Sequence, residues 1–127
     1  MSCPPMTDPT APRSFISRRL VSATRNSLSG LRVLWGEEAF RIEALLCLVL
    51  LPLALWLGDD AVDKVLMVGA LAIVIIVETL NTAVEKTIDR ISAEIHPLSG
   101  HAKDLGSCAV LFALVLAVFV WAMVLLD

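Results

Sequence analysis

The chain has 127 residues, 57% of them hydrophobic and 18% charged, with a mean hydropathy of +0.81. A soluble domain runs at about 45–50% apolar, and one this short still leaves roughly a third of its unfolded surface exposed, so the apolar excess has no core to hide in. These values exclude a soluble monomer and a disordered chain, and a net charge of −3 excludes generic nucleic-acid binding, which needs a basic face.

Residues 1–12 carry four prolines and no apolar run, which predicts a disordered tip. The apolar core of a secretory signal is missing, so the first membrane span is expected to direct insertion itself. The three cysteines, Cys3, Cys47 and Cys108, have neither metal-site spacing nor the pattern of a disulfide framework. Cys47 and Cys108 read as small buried hydrophobes.

From Arg13 to about Arg32 the pattern is helical. Ile16, Leu20, Ala23, Ser27 and Leu31 share one face, and Arg18, Ser22, Arg25, Ser29 and Arg32 the opposite one. A basic amphipathic helix of this kind lies along an anionic membrane surface. The first span is expected over 39–57. Its apolar run starts at Ala44, which is short for a bilayer unless the helix reaches back past Arg41 and Glu43; Pro52 should kink it. Gly58-Asp59-Asp60 breaks the chain, and a second span follows over about 62–90. Ser92 to His101, with Pro97 and Gly100, reads as a loop. The third span is expected over 102–126, where Cys108–Leu126 is nineteen consecutive apolar residues. Six of the ten Lys and Arg residues lie at or before Arg41, and Lys86, Arg90 and Lys103 flank the 92–101 segment. The positive-inside rule then puts the N-terminus and that segment in the cytoplasm, and Asp127 outside.

The informative feature is what interrupts the second apolar run. In Glu78-Thr-Leu-Asn81-Thr-Ala-Val-Glu85-Lys-Thr-Ile-Asp89-Arg90, the residues Glu78, Asn81, Glu85 and Asp89 fall within about 80° of one another on a helix. Counted from Val65 at 1.5 Å per residue, Glu78 lies about 20 Å deep, inside the hydrocarbon layer, and Glu85 lies near its boundary. An ionised carboxylate at that depth costs at least ~2.5 kcal/mol, and such residues mark ion paths, proton relays, catalysis or helix association. A protonatable Glu78 suits proton transfer to or from a buried group; a protonated Glu78 hydrogen-bonded across an oligomer interface is the other reading, and the residues leave both open. Glu37, Glu38, Glu43, Lys103 and Asp104 collect at the same boundary as Glu85. Carboxylates with a nearby lysine suit a divalent cation carrying phosphates, whereas each taken alone reads as a solvated helix end. Neither a GxxxxGK(S/T) loop nor a GxGxxG turn is present, so a Walker-type or protein-kinase-type nucleotide site is excluded.

These residues resemble the prokaryotic diacylglycerol kinases. The stripe fits their E-x-x-N-(S/T)-A-(I/V)-E-x-x-x-D-R signature. Downstream, Glu94-Ile-His96-Pro-Leu-Ser99-Gly100-His-Ala-Lys103-Asp104-Leu-Gly106-Ser107 is similar to E-x-H-x-L-S-G-x-A-K-D-x-G-S. Gly30-Leu31-Arg32 and Glu37-Glu-Ala39-Phe40-Arg41-Ile-Glu43 resemble two upstream motifs, so the likeness spans about 13–126.

The resemblance implies an all-α integral membrane protein, a surface helix plus three transmembrane helices assembled as a homotrimeric bundle, forming one kinase domain over 13–127. It implies transfer of the γ-phosphoryl group of Mg-ATP to diacylglycerol at the cytoplasmic interface of the bacterial inner membrane, giving phosphatidate. By motif position, Glu78 would be the general base with Asn81 beside it. Glu37 and Glu85 would hold Mg²⁺ and nucleotide, with Glu38 in reserve because the count from Gly30 favours it. Lys103, Asp104, Glu94 and His96 would contact ATP. Arg19 would serve nucleotide and lipid, and Ser107 the lipid. His96-Pro97-Leu98 also resembles the related undecaprenol kinases, so undecaprenol is the rival substrate. A small oligomeric ion or proton conductor would need Glu78 and Asn81 but not the 94–107 motif, whose presence argues against it and against a non-catalytic membrane scaffold.

Overall fold

The computed structural model describes residues 11–91 and 96–127. Four helices occur among them, α1 (Ala11–Trp35), α2 (Glu38–Leu57), α3 (Ala61–Ile91) and α4 (Pro97–Leu126), and no strand. They divide into two compact units, one ending at Gly36 and the other beginning at Glu37. Residues 1–10 of the expected disordered tip, Cys3 among them, lie outside the described residues, as do 92–95.

The first unit is α1. It starts at Ala11, two residues earlier than the periodicity indicated, with Pro12 in its first turn, where the missing N–H has no partner to lose. It continues past Arg32 to Trp35. Arg32 in the last turn faces the negative end of the helix dipole. Its apolar stripe is open: Ile16, Leu20 and Leu31 are all exposed. Thr24 Oγ1 donates to the carbonyl of Leu20 at 2.8 Å.

The second unit is a bundle of α2, α3 and α4, each long and apolar enough to cross a membrane. The chain is thus an all-α membrane protein. α2 runs unbroken through Pro52, whose missing N–H leaves the Leu48 carbonyl without its usual intrahelical donor. Its C-terminus is closed by Gly58, whose N–H donates to Ala54 O at 3.0 Å. A Cβ at Gly58 would stand 3.2 Å from the Lys64 nitrogen and 3.0 Å from Ala54 O, so the tight turn into α3 requires glycine. Asp60 then caps α3, its Oδ1 accepting from Asp63 N at 2.9 Å, while Asp63 Oδ2 accepts back from Asp59 N at 3.3 Å.

α3 packs along α4 in antiparallel register, and α2 lies against α3. Ala70 and Val74 meet Ala113 and Ala117 in the core, with Val77, Val120 and Trp121 around them. Small residues let two helices approach closely where no water is available to drive them together. At one end of this seam Trp121 Nε1 donates to the Met67 carbonyl at 3.1 Å, and Met67 is fully buried.

Two sequence expectations change here. The 92–101 segment is not a loop as far as His101, because the last helix begins at Pro97 rather than near Ala102. Proline sits at its first turn, where its fixed φ is already helical, and His96 caps it by accepting from Leu98 N at 3.1 Å. Ser99, Gly100 and His101 are therefore helical; their polarity hid the extra turn. Cys47 and Cys108 are half-buried free thiols rather than core residues.

The apolar surface left over is large. Leu45, Leu48, Val49 and Trp56 on α2, and Leu111, Phe112, Val118 and Phe119 on α4, are more than half exposed. Of the three candidate spans, α4 is the most apolar and the least covered.

Candidate active site

α3 supplies the polar residues buried in this unit, Glu78, Asn81 and Thr82, at 8%, 9% and 7% exposure. Helical period alone puts Glu78, Asn81 and Glu85 on one face. Asn81 Nδ2 donates to Glu85 Oε1 at 3.4 Å, a long bond one turn along the helix. Thr82 and Thr79 do not compete for these groups: their hydroxyls donate back to the carbonyls of Glu78 and Ile75, at 3.0 and 2.7 Å. The stripe is thus left with its carboxylates and amide for other partners.

Two buried oxygens in this region have no hydrogen-bond partner, Asn81 Oδ1 and Glu43 Oε2. Glu43, on α2, is close enough to Glu78 for the two carboxyl groups to interact electrostatically. It also stands at the head of an apolar groove of about 460 Å³, with Cys47, Leu50, Val74, Leu114 and Trp121 among its walls. Glu43 closes one of the upstream motifs but was given no role in the site. Its signal in the sequence was a charge just inside the first apolar run.

One turn beyond the buried stripe, α3 is held to its neighbours by two ion pairs. Lys86 Nζ lies 2.9 Å from Glu37 Oε1, and Lys103 Nζ donates to Asp89 Oδ1 at 2.8 Å. Glu37 is the residue that starts α2. Its carboxylate does not cap its own helix but reaches Lys86 on α3. Glu38 is the first helical residue and is exposed. Lys86 and Asp89 were not named as site residues by motif, because their role depends on what α2 and α4 bring alongside them.

Within the described part of the second unit, Asp104, Ser107 and His96 are not gathered into this cluster. Asp104 and Ser107 are exposed on α4, where Asp104 lines a shallow groove with His101, Leu105 and Cys108. His96 is exposed and engaged in its helix cap. Glu94 lies outside the described residues. Arg19 is exposed on α1, its guanidinium 5.8 Å from the Phe15 ring centre. Among the described residues no three His, Cys, Asp or Glu side chains are grouped as a metal cage within one chain.

The arrangement is therefore a buried carboxyl group able to exchange a proton, an amide beside it, and paired carboxylates and lysines one to two turns away at the helix ends. That is a division of labour suited to moving a charged group onto a buried acceptor.

Comparison with known proteins agrees. A family profile, "Prokaryotic diacylglycerol kinase", matches residues 25–125. The chain is 45% identical over 108 residues to the diacylglycerol kinase of Escherichia coli (strain K12), covering 84% of this chain and 88% of that one. It is 44% identical over 111 residues to the diacylglycerol kinase of Pseudomonas aeruginosa, covering 87% and 90%. Against that of Haemophilus influenzae the identity is 42% over 107 residues, covering 84% and 91%. The chain belongs to the prokaryotic diacylglycerol kinase family.

Proposed function

We propose that this chain is an ATP-dependent lipid kinase. It transfers the γ-phosphoryl group of ATP to the free hydroxyl of diacylglycerol, giving phosphatidate and ADP, at the cytoplasmic face of the bacterial inner membrane. The observation that carries this reading is the buried Glu78–Asn81 pair on the same helix face as Glu85, with Glu37, Lys86, Asp89 and Lys103 paired just beyond it. The relatives named diacylglycerol kinase support the choice of lipid.

Phosphoryl transfer asks the protein mainly for positioning and charge neutralisation. The lipid hydroxyl oxygen attacks the γ-phosphorus as the bond from that phosphorus to the β–γ bridging oxygen breaks, and ADP leaves with the electron pair. Glu78 takes the hydroxyl proton, a role worth about 10²–10⁴ in rate. Asn81 holds the adjacent Glu85 carboxylate through its amide. Lys103 faces the phosphates, and Asp104, His96 and Glu94 complete the nucleotide contacts. Ser107 and Arg19 serve the lipid, and Arg19 also the nucleotide.

Mg²⁺ fits the donors present. Glu37 and Glu85 offer carboxylate oxygens only, and Mg²⁺ commonly takes one or two of these with phosphate oxygens and water. Two such carboxylates, with no three-membered cage among the described residues, accord with an ion that arrives with its nucleotide. Once bound, it neutralises charge on the transferring phosphoryl group. Glu37 is preferred to Glu38 because its carboxylate reaches α3, at Lys86, whereas Glu38 is exposed in the first turn of α2.

A homotrimer explains two further features. The exposed apolar faces of α2 and α4 need a cover other than water, and lipid and sister helices together supply it. Asp104 and Ser107, apart from the α3 stripe within one chain, can meet the stripe of a neighbour. The N-terminus then lies in the cytoplasm and Asp127 in the periplasm, as the basic residues direct.

The test is a transfer assay on detergent-solubilised protein with labelled ATP and Mg²⁺, offering diacylglycerol, undecaprenol and a long-chain amino alcohol separately. Label in diacylglycerol is expected. Label in undecaprenol alone would reassign the substrate, and no label in any lipid would sink the kinase reading.

A further inference from the structure

We propose that Gly106 is a positioning residue for catalysis: it sets which way the Asn81 side-chain amide faces. The inference rests on the reading of Asn81 as part of the catalytic machinery and adds the element that orients it.

Gly106 lies on α4 directly across from Asn81. A Cβ at that position would overlap Asn81 Oδ1 and stand 3.2 Å from Asn81 Cγ. Neither Gly69 nor Gly100, the other glycines on the two helices, has anything within 4 Å of such a Cβ. Gly106 is thus the glycine of this helix pair whose missing side chain is already filled, and it is filled by the amide.

The chemistry of the two ends of that amide gives the contact its meaning. Asn81 is more than nine-tenths buried, its Nδ2 donates to Glu85 Oε1, and its Oδ1 is buried with no N–H or O–H partner. The Oδ1 lies where a Gly106 α-hydrogen points, the arrangement of a weak Cα–H···O contact. The opposite orientation would press the two amide hydrogens against that Cα–H and turn the oxygen towards the Glu85 carboxylate, leaving donors unpaired and two acceptors facing. Glycine therefore favours the orientation in which the NH₂ serves Glu85. An alanine would have to displace the far end of a flexible side chain, which rotates more readily than two helices separate. In a helix few rotamers are open to Asn81, so leaving this one breaks the Glu85 bond.

The experiment uses the full-length protein in detergent with labelled ATP and diacylglycerol. It compares Gly106→Ala, Asn81→Ala and the double variant, together with NMR of side-chain ¹⁵N-labelled asparagine. The chain holds two asparagines, Asn26 and Asn81, so the two amide signals are assigned with one Asn26 variant. Gly106→Ala is expected to shift the Asn81 amide and not that of Asn26. It should lower kcat by about 10–100-fold, the size of effect a small misplacement produces, with KM for ATP within about 3-fold of the parent. On the Asn81→Ala background the same change should alter kcat by less than about 2-fold, because the group it acts through is gone. If Gly106→Ala fails to fold, the double variant should recover folding, since removing the Asn81 amide clears the overlap. An unmoved Asn81 signal, a full multiplicative loss in the double variant, or a double variant that also fails to fold would overturn the proposal. So would parental kcat in Gly106→Ala alongside a damaged Asn81→Ala, which would leave the role of Asn81 standing. Parental kcat in Asn81→Ala would remove that role and the proposal with it.

Discussion

Lys86 of α3 and Glu37 at the start of α2 face each other at 2.9 Å, so one of the two carboxylates assigned to Mg²⁺ already has a cation beside it. Both side chains are substantially exposed, which makes the pair weak and easily exchanged. On the proposed reading of Glu37 as a Mg²⁺ ligand, the pair would serve as a placeholder that keeps the carboxylate turned towards α3 until the stronger cation arrives with the nucleotide.

Replacing Lys86 by Gln should therefore ease metal entry. The Mg²⁺ concentration giving half-maximal transfer is expected to fall by about 2–5-fold, the equivalent of losing one exposed ion pair as a competitor. A Mg²⁺ titration of activity at saturating ATP reads this directly. A higher half-maximal concentration would mean that Lys86 aids the metal complex instead.

Asp89 holds Lys103 at 2.8 Å, and the side chains are 66% and 44% exposed. Such a pair adds little to stability, so its consequence lies in where the Lys103 ammonium is held. Asp89→Asn should raise KM for ATP by about 3–10-fold and leave the unfolding temperature unchanged, because it loosens the lysine proposed to face the phosphates without opening the core. Steady-state kinetics with varied ATP checks it, and an unaltered KM would separate Lys103 from the nucleotide.

The turn between α2 and α3 is far along the helix from the polar stripe, and its cap is local. Asp60→Ala removes the acceptor for Asp63 N and should cost about 1 kcal/mol of unfolding free energy. Its kcat should equal that of the parent. A loss of turnover in correctly folded protein would mean that the turn is coupled to the site.

Much of this architecture could be read in the sequence, and the residues show why the rest could not. Hydropathy located α2 and α3 to within a residue, since Ala44–Leu57 and Val65–Val77 have few other places to go. Period placed Glu78, Asn81 and Glu85 on one face, because that relation lies within a single helix. The early start of α4 was hidden because Ser99, Gly100 and His101 are polar; Pro97 at the first turn was the available sign. The Lys103–Asp89 and Lys86–Glu37 pairs, and the fit of Asn81 against Gly106, depend on the register between helices, which periodicity does not contain. Glu43 showed its charge in the sequence, but its nearness to Glu78 appears only once α2 lies against α3.

The central claim is that Glu78, buried in the helix pair, accepts the lipid hydroxyl proton. The most direct measurement is kcat for diacylglycerol phosphorylation by Glu78→Gln, in protein whose unfolding temperature and oligomer size match the parent. The amide keeps the shape of the side chain and its place in the core but cannot take the proton. The account predicts a fall in kcat of about 10²–10⁴-fold, with KM for ATP little changed. Turnover within a few-fold of the parent would contradict it.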